Sequence, residues 1–154
     1  DWSSDVCSSD LAYNTGDPAY YNNTLIGSCD LSIQGGSVDA AFISITNFSL
    51  VPNNGNLTGE EYNIWAGDNV TKLGETIAQS EGYITSTNAN VNVGGISYTD
   101  MGEATYLSAS GDSGGPVYLT NSKKVIGIHK GSTAFTSIFV KVDNIASKLN
   151  AHFN

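Results

Sequence analysis

The stretch Gly111-Asp112-Ser113-Gly114-Gly115-Pro116 surrounds one serine with three glycines. A serine hydroxyl becomes a strong nucleophile when a base removes its proton and hydrogen-bond donors await the developing oxyanion. Glycines on both sides allow a sharp backbone turn and a close approach by a carbonyl group. The stretch therefore predicts a nucleophile, Ser113, with an oxyanion hole formed by the main-chain N–H groups of Gly111 and Ser113.

This stretch resembles the nucleophile motif of the chymotrypsin-like (trypsin-like) serine proteases, and the wider similarity is greatest to the streptogrisin and glutamyl endopeptidase branch. The resemblance runs from about Asp39 to the C-terminus and includes residues 70–74, 82–85, 91–95 and 125–132. It implies an all-β fold of two β-barrels with a closing C-terminal helix. It also implies a secreted endopeptidase that acts on polypeptides, needs no cofactor or metal, and is a monomer when full length.

Two other interpretations of the serine stretch remain open. Residues 111–115 also satisfy G-x-S-x-G, the nucleophile elbow of esterases, and Asp143 and His152 follow in the required order. That elbow needs a helix directly after the serine, whereas Val117-Tyr118-Leu119 is typical of a strand. The simpler interpretation is a glycine-rich turn with an incidental serine, which the matching segments around it disfavour.

The length of the chain limits how much of a protease it can contain. The chain has 154 residues, whereas all-β barrel folds of this kind run to roughly 200 residues or more, so we expect most of the N-terminal barrel to be missing. Residues 1–11 resemble the in-frame translation of a sequencing adaptor. We expect residues 12–50 to be a remnant of the N-terminal barrel, 51–69 to be a linker, and 70–154 to be a complete C-terminal barrel with its helix.

Charge and cysteine content restrict the partners. The formal net charge is −9, and it becomes −6 when the three aspartates of residues 1–11 are excluded. An acidic surface argues against nucleic acids and anionic membranes as partners, and no apolar run approaches the ~20 residues of a membrane span. The same exclusion removes Cys7 and leaves Cys29 without an internal disulfide partner.

Short apolar segments separated by glycine and asparagine turns predict the strands of an antiparallel barrel. Asp143 is predicted as the N-cap of a helix over residues 143–149, because Ile145 and Leu149 then share one face. A short strand is also predicted at residues 62–65. The predicted barrel strands are residues 71–75, 80–86, 96–99, 104–107, 117–120, 125–129 and 138–142.

Asp39 opens a run of small and apolar residues, 40–45, where a carboxylate requires a buried partner. The resemblance implies that Asp39 is the triad aspartate, and the alternative is an aspartate that caps a backbone turn. The family order of histidine, aspartate and serine places the base before Asp39, where this chain has no histidine. Its only histidines, His129 and His152, follow Asp39, so we expect the chain as given to lack the base and to be inactive.

The segment around His129 resembles the wall of the substrate pocket, where glutamate-specific members carry a histidine. A histidine and hydroxyl groups can bind a carboxylate through charge-assisted hydrogen bonds, while the main chain after His129 offers groups to an extended substrate. The alternative is a buried, hydrogen-bonded histidine without a ligand. The predicted pocket residues are His129, Ser108, Ser110, Lys130, Gly131 and Ser132. Because no acidic residue lies at Leu107 or beside it, a preference for Lys or Arg is not expected.

Asp112 lies beside the nucleophile, and a buried carboxylate there must be paired. All six basic residues of the chain are lysines. The candidates for the partner are Lys72, next to the position where the bacterial members carry an arginine, and an N-terminus released upstream of the chain.

A protease-fold binding module whose parent never had the base is the remaining alternative. The presence of Asp39 together with an intact 111–116 stretch favours the peptidase, because a decayed site usually loses its nucleophile.

Overall fold

The computed structural model describes residues 14–21, 23–46, 49, 56–150 and 152. Residues 1–11 and the first part of the predicted linker, 51–55, lie outside these ranges. The described residues form nine strands and one helix: β1 Pro18–Tyr21, β2 Thr24–Gly35, β3 Val38–Ile45, β4 Asn69–Leu73, β5 Gln79–Val93, β6 Ile96–Ala104, β7 Pro116–Leu119, β8 Val125–Ser132, β9 Ser137–Lys141 and α1 Val142–Leu149. Over these ranges, no helix is both long and apolar enough to cross a bilayer.

Six antiparallel strands close into a barrel in the order β4-β5-β6-β9-β8-β7. Closure pairs both edges of every strand, so this sheet has no open edge. Its interior holds an apolar cluster of buried side chains, Val70, Ile84, Ala104, Tyr106, Val117, Ile126 and Phe139. The barrel follows from the predicted alternation of short apolar segments and turns.

The first three strands form a separate antiparallel sheet in the order β1-β2-β3. Strand β3 joins this sheet to the barrel and to α1 through a second apolar cluster. The buried members of that cluster are Val38, Ala89, Tyr98, Met101, Ile138, Val140, Ile145 and Leu149. Because Asp39 follows Val38 directly, this packing places Asp39 where β3 meets the barrel.

Three predicted elements differ from those observed. Residues 104–107 are not a strand of their own, because β6 already ends at Ala104, and residues 62–65 form no strand. The predicted strand 80–86 is only part of a longer strand. Residues 79–93 form the single strand β5, and irregularities in its pairing with β6 accommodate the asparagines that suggested a turn.

The predicted N-cap of the helix is wrong. Lys141 is the N-cap and makes no side-chain cap hydrogen bond, whereas Asp143 lies in the first turn. The helix begins directly after β9, which leaves no loop in which an aspartate could cap it. Asp143 still places a negative charge near the positive end of the helix dipole. Ile145 and Leu149 are buried, as their spacing predicted.

Candidate active site

Ser113 lies in the loop that joins β6 to β7, and two glycines of this loop have distinct structural requirements. Gly111 has a φ of 96°, which favours glycine. A Cβ atom on Gly115 would lie 1.9 Å from the carbonyl oxygen of Leu73 on β4. One glycine therefore allows the turn before the serine, and the other allows the loop to pack directly against the barrel.

The loop is hydrogen-bonded to strand β8 through main-chain groups. The Gly114 N–H donates to the His129 carbonyl at 2.8 Å, and the His129 N–H donates to the Gly115 carbonyl at 2.8 Å. The Ser113 hydroxyl donates to the Lys130 carbonyl at 3.1 Å. Strand β8 therefore fixes the position of Ser113, while no imidazole of the described residues lies within hydrogen-bonding distance of Ser113 Oγ.

The main-chain N–H groups of Gly111 and Ser113 differ from those of neighbouring loop residues in their hydrogen bonding. The Asp112 N–H donates to the Ala109 carbonyl at 3.1 Å, and the N–H groups of Gly114 and Gly115 are also hydrogen-bonded. Within the described part of the chain, no acceptor is paired with the N–H of Gly111 or of Ser113. These two groups are the ones predicted to form the oxyanion hole.

Asp112 is buried and accepts four hydrogen bonds. Its Oδ2 accepts from Lys72 Nζ at 2.5 Å and from the Ala109 N–H at 2.9 Å. Its Oδ1 accepts from the N–H groups of Thr76 at 2.8 Å and Ile77 at 3.0 Å. Burial by itself raises the pKa of Asp112, but the hydrogen bonds from Lys72 and the three main-chain groups together hold that pKa below its usual value.

Of the two predicted partners of Asp112, the structure brings Lys72 to it. The side chains of Lys72 and Asp112 are both completely buried. Lys72 Nζ also donates to the Ile77 carbonyl at 3.0 Å. The carboxylate beside the nucleophile is therefore neutralised from within the chain.

Asp39 lies on β3 and is buried, with two partners from the barrel. Its Oδ2 accepts from the Tyr98 hydroxyl at 2.7 Å and lies 2.8 Å from Lys130 Nζ. The Lys130 ammonium also lies 5.5 Å from the centre of the Tyr98 ring. A buried partner for Asp39 was expected from the sequence, and in the structure the charged partner is Lys130.

Lys130 contacts both candidate catalytic side chains. Its main-chain carbonyl accepts from Ser113 and its ammonium pairs with Asp39. The ion pair of its side chain with Asp39 was not predicted. A lysine within a mostly buried strand was the available signal, because such a charge requires an acidic partner.

His129 lies on β8 with only 2% of its surface exposed. Its Nδ1 is 3.0 Å from the Tyr106 hydroxyl, and the two rings meet edge to face with their centres 5.5 Å apart. Burial, followed by the positive charge of Lys72, lowers the pKa of His129 to about 4. The imidazole is therefore neutral at pH 7. Tyr106, which lies beyond the end of β6, was not predicted as a partner of His129.

The other predicted pocket residues lie in the loop between β6 and β7 and in β8. Ser108 Oγ is 3.0 Å from Ser137 Oγ, and Ser137 Oγ also donates to the Tyr106 carbonyl at 2.8 Å. Ser110 and Ser132 are exposed. Among the described residues, none of the three predicted serine hydroxyls is hydrogen-bonded to His129.

Gly131 and Ser132 are the last residues of β8, where they pair with Ile138 and Ser137 of β9. Their main-chain groups therefore lie at the end of a strand, and their role in binding an extended substrate stays a prediction. Over the described ranges, no three side chains of the metal-binding types are grouped to hold a metal ion.

The esterase interpretation is wrong. Strand β7 begins at Pro116, three residues after Ser113, where a nucleophile elbow requires a helix. The histidine required by that interpretation is also engaged elsewhere. His152 Nδ1 lies 2.9 Å from Glu60 Oε1 and 3.3 Å from the Tyr62 hydroxyl on an exposed part of the surface.

The fold is that of the chymotrypsin-like serine proteases, as predicted. The crystal structure of Cellulomonas bogoriensis chymotrypsin superimposes with a TM-score of 0.76 and 21% identity, covering 97% of this chain and 84% of that one. A glutamic-acid-specific serine protease, described as using a histidine triad in substrate binding, superimposes with a TM-score of 0.75 and 22% identity, covering 96% of this chain and 82% of that one.

Similarity in sequence covers less of the chain. Glutamyl endopeptidase 2 of Streptomyces griseus is 37% identical over 71 residues, which are 46% of this chain and 37% of that protein. The match thus spans little more than a third of the length of this curated relative. No protein-family model matches the chain.

Proposed function

We propose that the chain is part of a serine endopeptidase that hydrolyses peptide bonds through an acyl-enzyme. The observation that carries this proposal is the attachment of Ser113 and Asp39 to one residue of β8, Lys130. The Ser113 hydroxyl attacks the substrate carbonyl while a base takes its proton. The N–H groups of Gly111 and Ser113 stabilise the resulting oxyanion. Its collapse breaks the peptide C–N bond, the amine product leaves with the proton from the base, and water then hydrolyses the acyl-enzyme.

Asp39 has the role of orienting the base. A buried carboxylate fixes the tautomer of a catalytic imidazole and stabilises the imidazolium that forms during the reaction. The chain has no histidine before Asp39, so we expect it to be inactive on its own. The division into an N-terminal barrel remnant at 12–50, a linker at 51–69 and a C-terminal barrel at 70–154 belongs to the same proposal, as does secretion of the full-length monomer.

The proposed substrates are polypeptides with glutamate or aspartate before the scissile bond. Two observations support an acidic preference: His129 lies on the strand that holds the nucleophile loop, and the relatives include a glutamyl endopeptidase and a glutamic-acid-specific protease. Leu107 is 69% exposed and offers no negative charge to a lysine or arginine substrate.

Imidazole supplied in solution tests the proposed activity, because it can replace a missing histidine as the base. We expect it to produce slow hydrolysis of a chromogenic peptide ester ending in glutamate, and we expect Ser113→Ala to abolish that hydrolysis. Ser122→Ala, a change in the β7–β8 loop, is the matched control and should retain it. Equal rates for the wild-type chain and Ser113→Ala at every imidazole concentration would contradict the proposal.

A non-catalytic protease-fold module is the second candidate, and the Asp39–Lys130 ion pair favours it. The aspartate that should orient a base already has a positively charged partner at 2.8 Å. If imidazole produces no Ser113-dependent hydrolysis while the peptide still binds to the chain, this second candidate replaces the first.

A further inference from the structure

Tyr106 and His129 form a buried polar pair inside the barrel. The Tyr106 side chain packs in the apolar cluster with Ile126 and Phe139 and is only 2% exposed. A buried phenol needs an acceptor for its proton, because an unsatisfied donor away from water is destabilising. Among the described residues, the atom paired with the Tyr106 hydroxyl is His129 Nδ1 at 3.0 Å.

This contact determines which ring nitrogen carries the proton. If His129 Nδ1 were protonated, it could donate to the tyrosine oxygen, but the tyrosine proton would then have no acceptor in this pair. If Tyr106 donates to Nδ1, both groups are satisfied and the imidazole proton resides on Nε2. The second arrangement leaves the ring with one N–H donor, on Nε2, and the main-chain carbonyl of Ile138 on β9 is its acceptor in the free chain. A substrate carboxylate that binds this N–H must therefore replace the Ile138 carbonyl as the acceptor.

The groups around His129 favour the neutral ring. Burial lowers the pKa of His129 most, the charge of Lys72 on β4 lowers it further, and that of Lys130 on β8 adds a smaller decrease. Asp112, in the nucleophile loop, and the hydrogen bond to Ile138 act in the opposite direction without reversing the shift. Burial also raises the pKa of Tyr106 well above 10, so Tyr106 remains a neutral donor.

We propose that Tyr106 is a positioning residue of the substrate pocket, whose hydroxyl fixes His129 as a neutral imidazole with its proton on Nε2, so that an acidic substrate side chain is recognised by an uncharged N–H donor. This inference rests on the proposed acidic preference of the His129 pocket. It specifies the protonation state in which His129 binds the substrate and identifies Tyr106 as the residue that sets this state.

Recognition by a neutral donor affects the pH dependence of binding and the source of its selectivity. It does not lose its proton between pH 6 and 8, so acidic selectivity is constant over that range. The nearby ammonium groups are each paired with a carboxylate, Lys72 with Asp112 and Lys130 with Asp39, so they add little net attraction. Selectivity for glutamate over glutamine then depends on the stronger hydrogen bond to a charged acceptor, which is roughly a tenfold effect.

The tautomer can be measured directly on the chain by ¹⁵N NMR of its histidines. The chain has two histidines, so His152→Gln leaves His129 as the only imidazole. We expect the pattern of a neutral ring protonated on Nε2 from pH 6 to 8. Protonation on Nδ1, or an imidazolium at pH 6, would overturn the inference even if no further variant folds.

Tyr106→Phe tests the role of the hydroxyl while keeping the ring. We expect it to convert His129 to a mixture of tautomers. Tyr118→Phe, which changes another buried tyrosine on β7, should leave the His129 signals unchanged. A single Nε2-protonated form in Tyr106→Phe would show that Tyr106 does not set the tautomer.

Binding of two product-like peptides separates this inference from the proposed specificity. We expect acetyl-Ala-Ala-Glu to shift the His129 signals and to bind about tenfold more tightly than acetyl-Ala-Ala-Gln, at pH 6 and at pH 8 alike. Tyr106→Phe should remove most of that difference. If Tyr106→Phe keeps the full preference for the glutamate peptide, the positioning role fails while the acidic pocket stands. If neither peptide shifts His129 in the wild-type chain, the acidic pocket itself fails.

Discussion

Lys72 and Asp112 are the most completely buried ion pair of the described residues, and they lie directly beside Ser113. Two charges removed from water are tolerated because the geometry is short and three main-chain N–H groups satisfy the remaining acceptor positions. Such a pair adds little net stability compared with apolar residues, but removing one partner leaves a buried charge unpaired. The pair therefore makes the nucleophile loop sensitive to single substitutions.

Lys72→Met is expected to lower the free energy of unfolding by roughly 3–5 kcal/mol, because it leaves Asp112 buried without its cation. Urea denaturation measures this change. Lys124→Met is the matched control, because Lys124 pairs with Glu61 on a partly exposed surface, where ion pairs contribute at most about 1 kcal/mol. Equal effects of the two substitutions would contradict the buried pair.

His129 is expected to make the chain less stable as the pH falls. Its pKa is about 4 in the folded chain and 6.5 ordinarily, so the unfolded chain takes up the proton first. The stabilisation is complete above pH 6.5 and is lost as the pH falls toward 4. It amounts to about 3 kcal/mol at about 1.4 kcal/mol per pKa unit.

Urea denaturation at pH 7 and at pH 4.5 measures this loss, which His129→Gln should largely remove. His152→Gln should leave it unchanged, because His152 is exposed. Asp112 becomes protonated only at a lower pH, since its pKa is held below 3.8. A pH dependence that is identical in the wild-type chain and His129→Gln would show that His129 is not the group responsible.

Strand β8 is the element on which the candidate site depends. Its main chain hydrogen-bonds the nucleophile loop at the Gly114 N–H and the Gly115 carbonyl, and its side chains reach Asp39 and Tyr106. On the opposite side, the loop lies against β4, where Gly115 meets the Leu73 carbonyl. The position of Ser113 therefore follows from the packing of one loop between two strands.

Gly115→Ala is expected to displace this loop, because the added Cβ atom would lie 1.9 Å from the Leu73 carbonyl oxygen. We expect a loss of about 1–3 kcal/mol in unfolding free energy, as for other overpacked sites. Gly131→Ala is the control for stability, since its Cβ atom would meet only a Val93 methyl group at an ordinary 3.7 Å. Equal stability of Gly115→Ala and the wild-type chain would contradict the close packing of the loop against β4.

What the sequence could predict at this scale depended on how local each signal was. Ser113 and its glycines lie in one continuous stretch, and the barrel strands follow from short apolar segments and turns. The tyrosines were not predictable as partners, because Tyr98 meets Asp39 and Tyr106 meets His129 only after distant strands pair. The length of β5 was missed for a related reason. Its asparagines are typical of turns, and they lie where its pairing with β6 is irregular.

The whole molecule combines a closed barrel with a three-stranded sheet that exposes apolar side chains. Leu31 and Phe42 are opposite each other in the pairing of β2 with β3, and they are 40% and 43% exposed. Tyr20 and Leu25 of the same sheet are also about half exposed. Apolar side chains left exposed on a sheet favour self-association.

Replacing Leu31 and Phe42 together by threonine is expected to reduce self-association, because the substitutions remove apolar surface that folding leaves exposed. Light scattering over a concentration series measures the effect, and threonine preserves strand propensity. Phe135→Ser is the control, because Phe135 is 93% exposed on the turn between β8 and β9, away from that sheet. Unchanged association in the double variant, or an equal reduction by Phe135→Ser, would assign the association to another surface.

The most direct test of the central claim, that Ser113 is an activatable nucleophile assisted by Asp39, is the mass of the intact chain after exposure to a fluorophosphonate. We predict that imidazole accelerates the addition of one phosphonyl group, that peptide mapping places it on Ser113, and that Asp39→Asn markedly slows the imidazole-dependent reaction. Labelling that is independent of imidazole and of Asp39, or that maps to another residue, would contradict the claim.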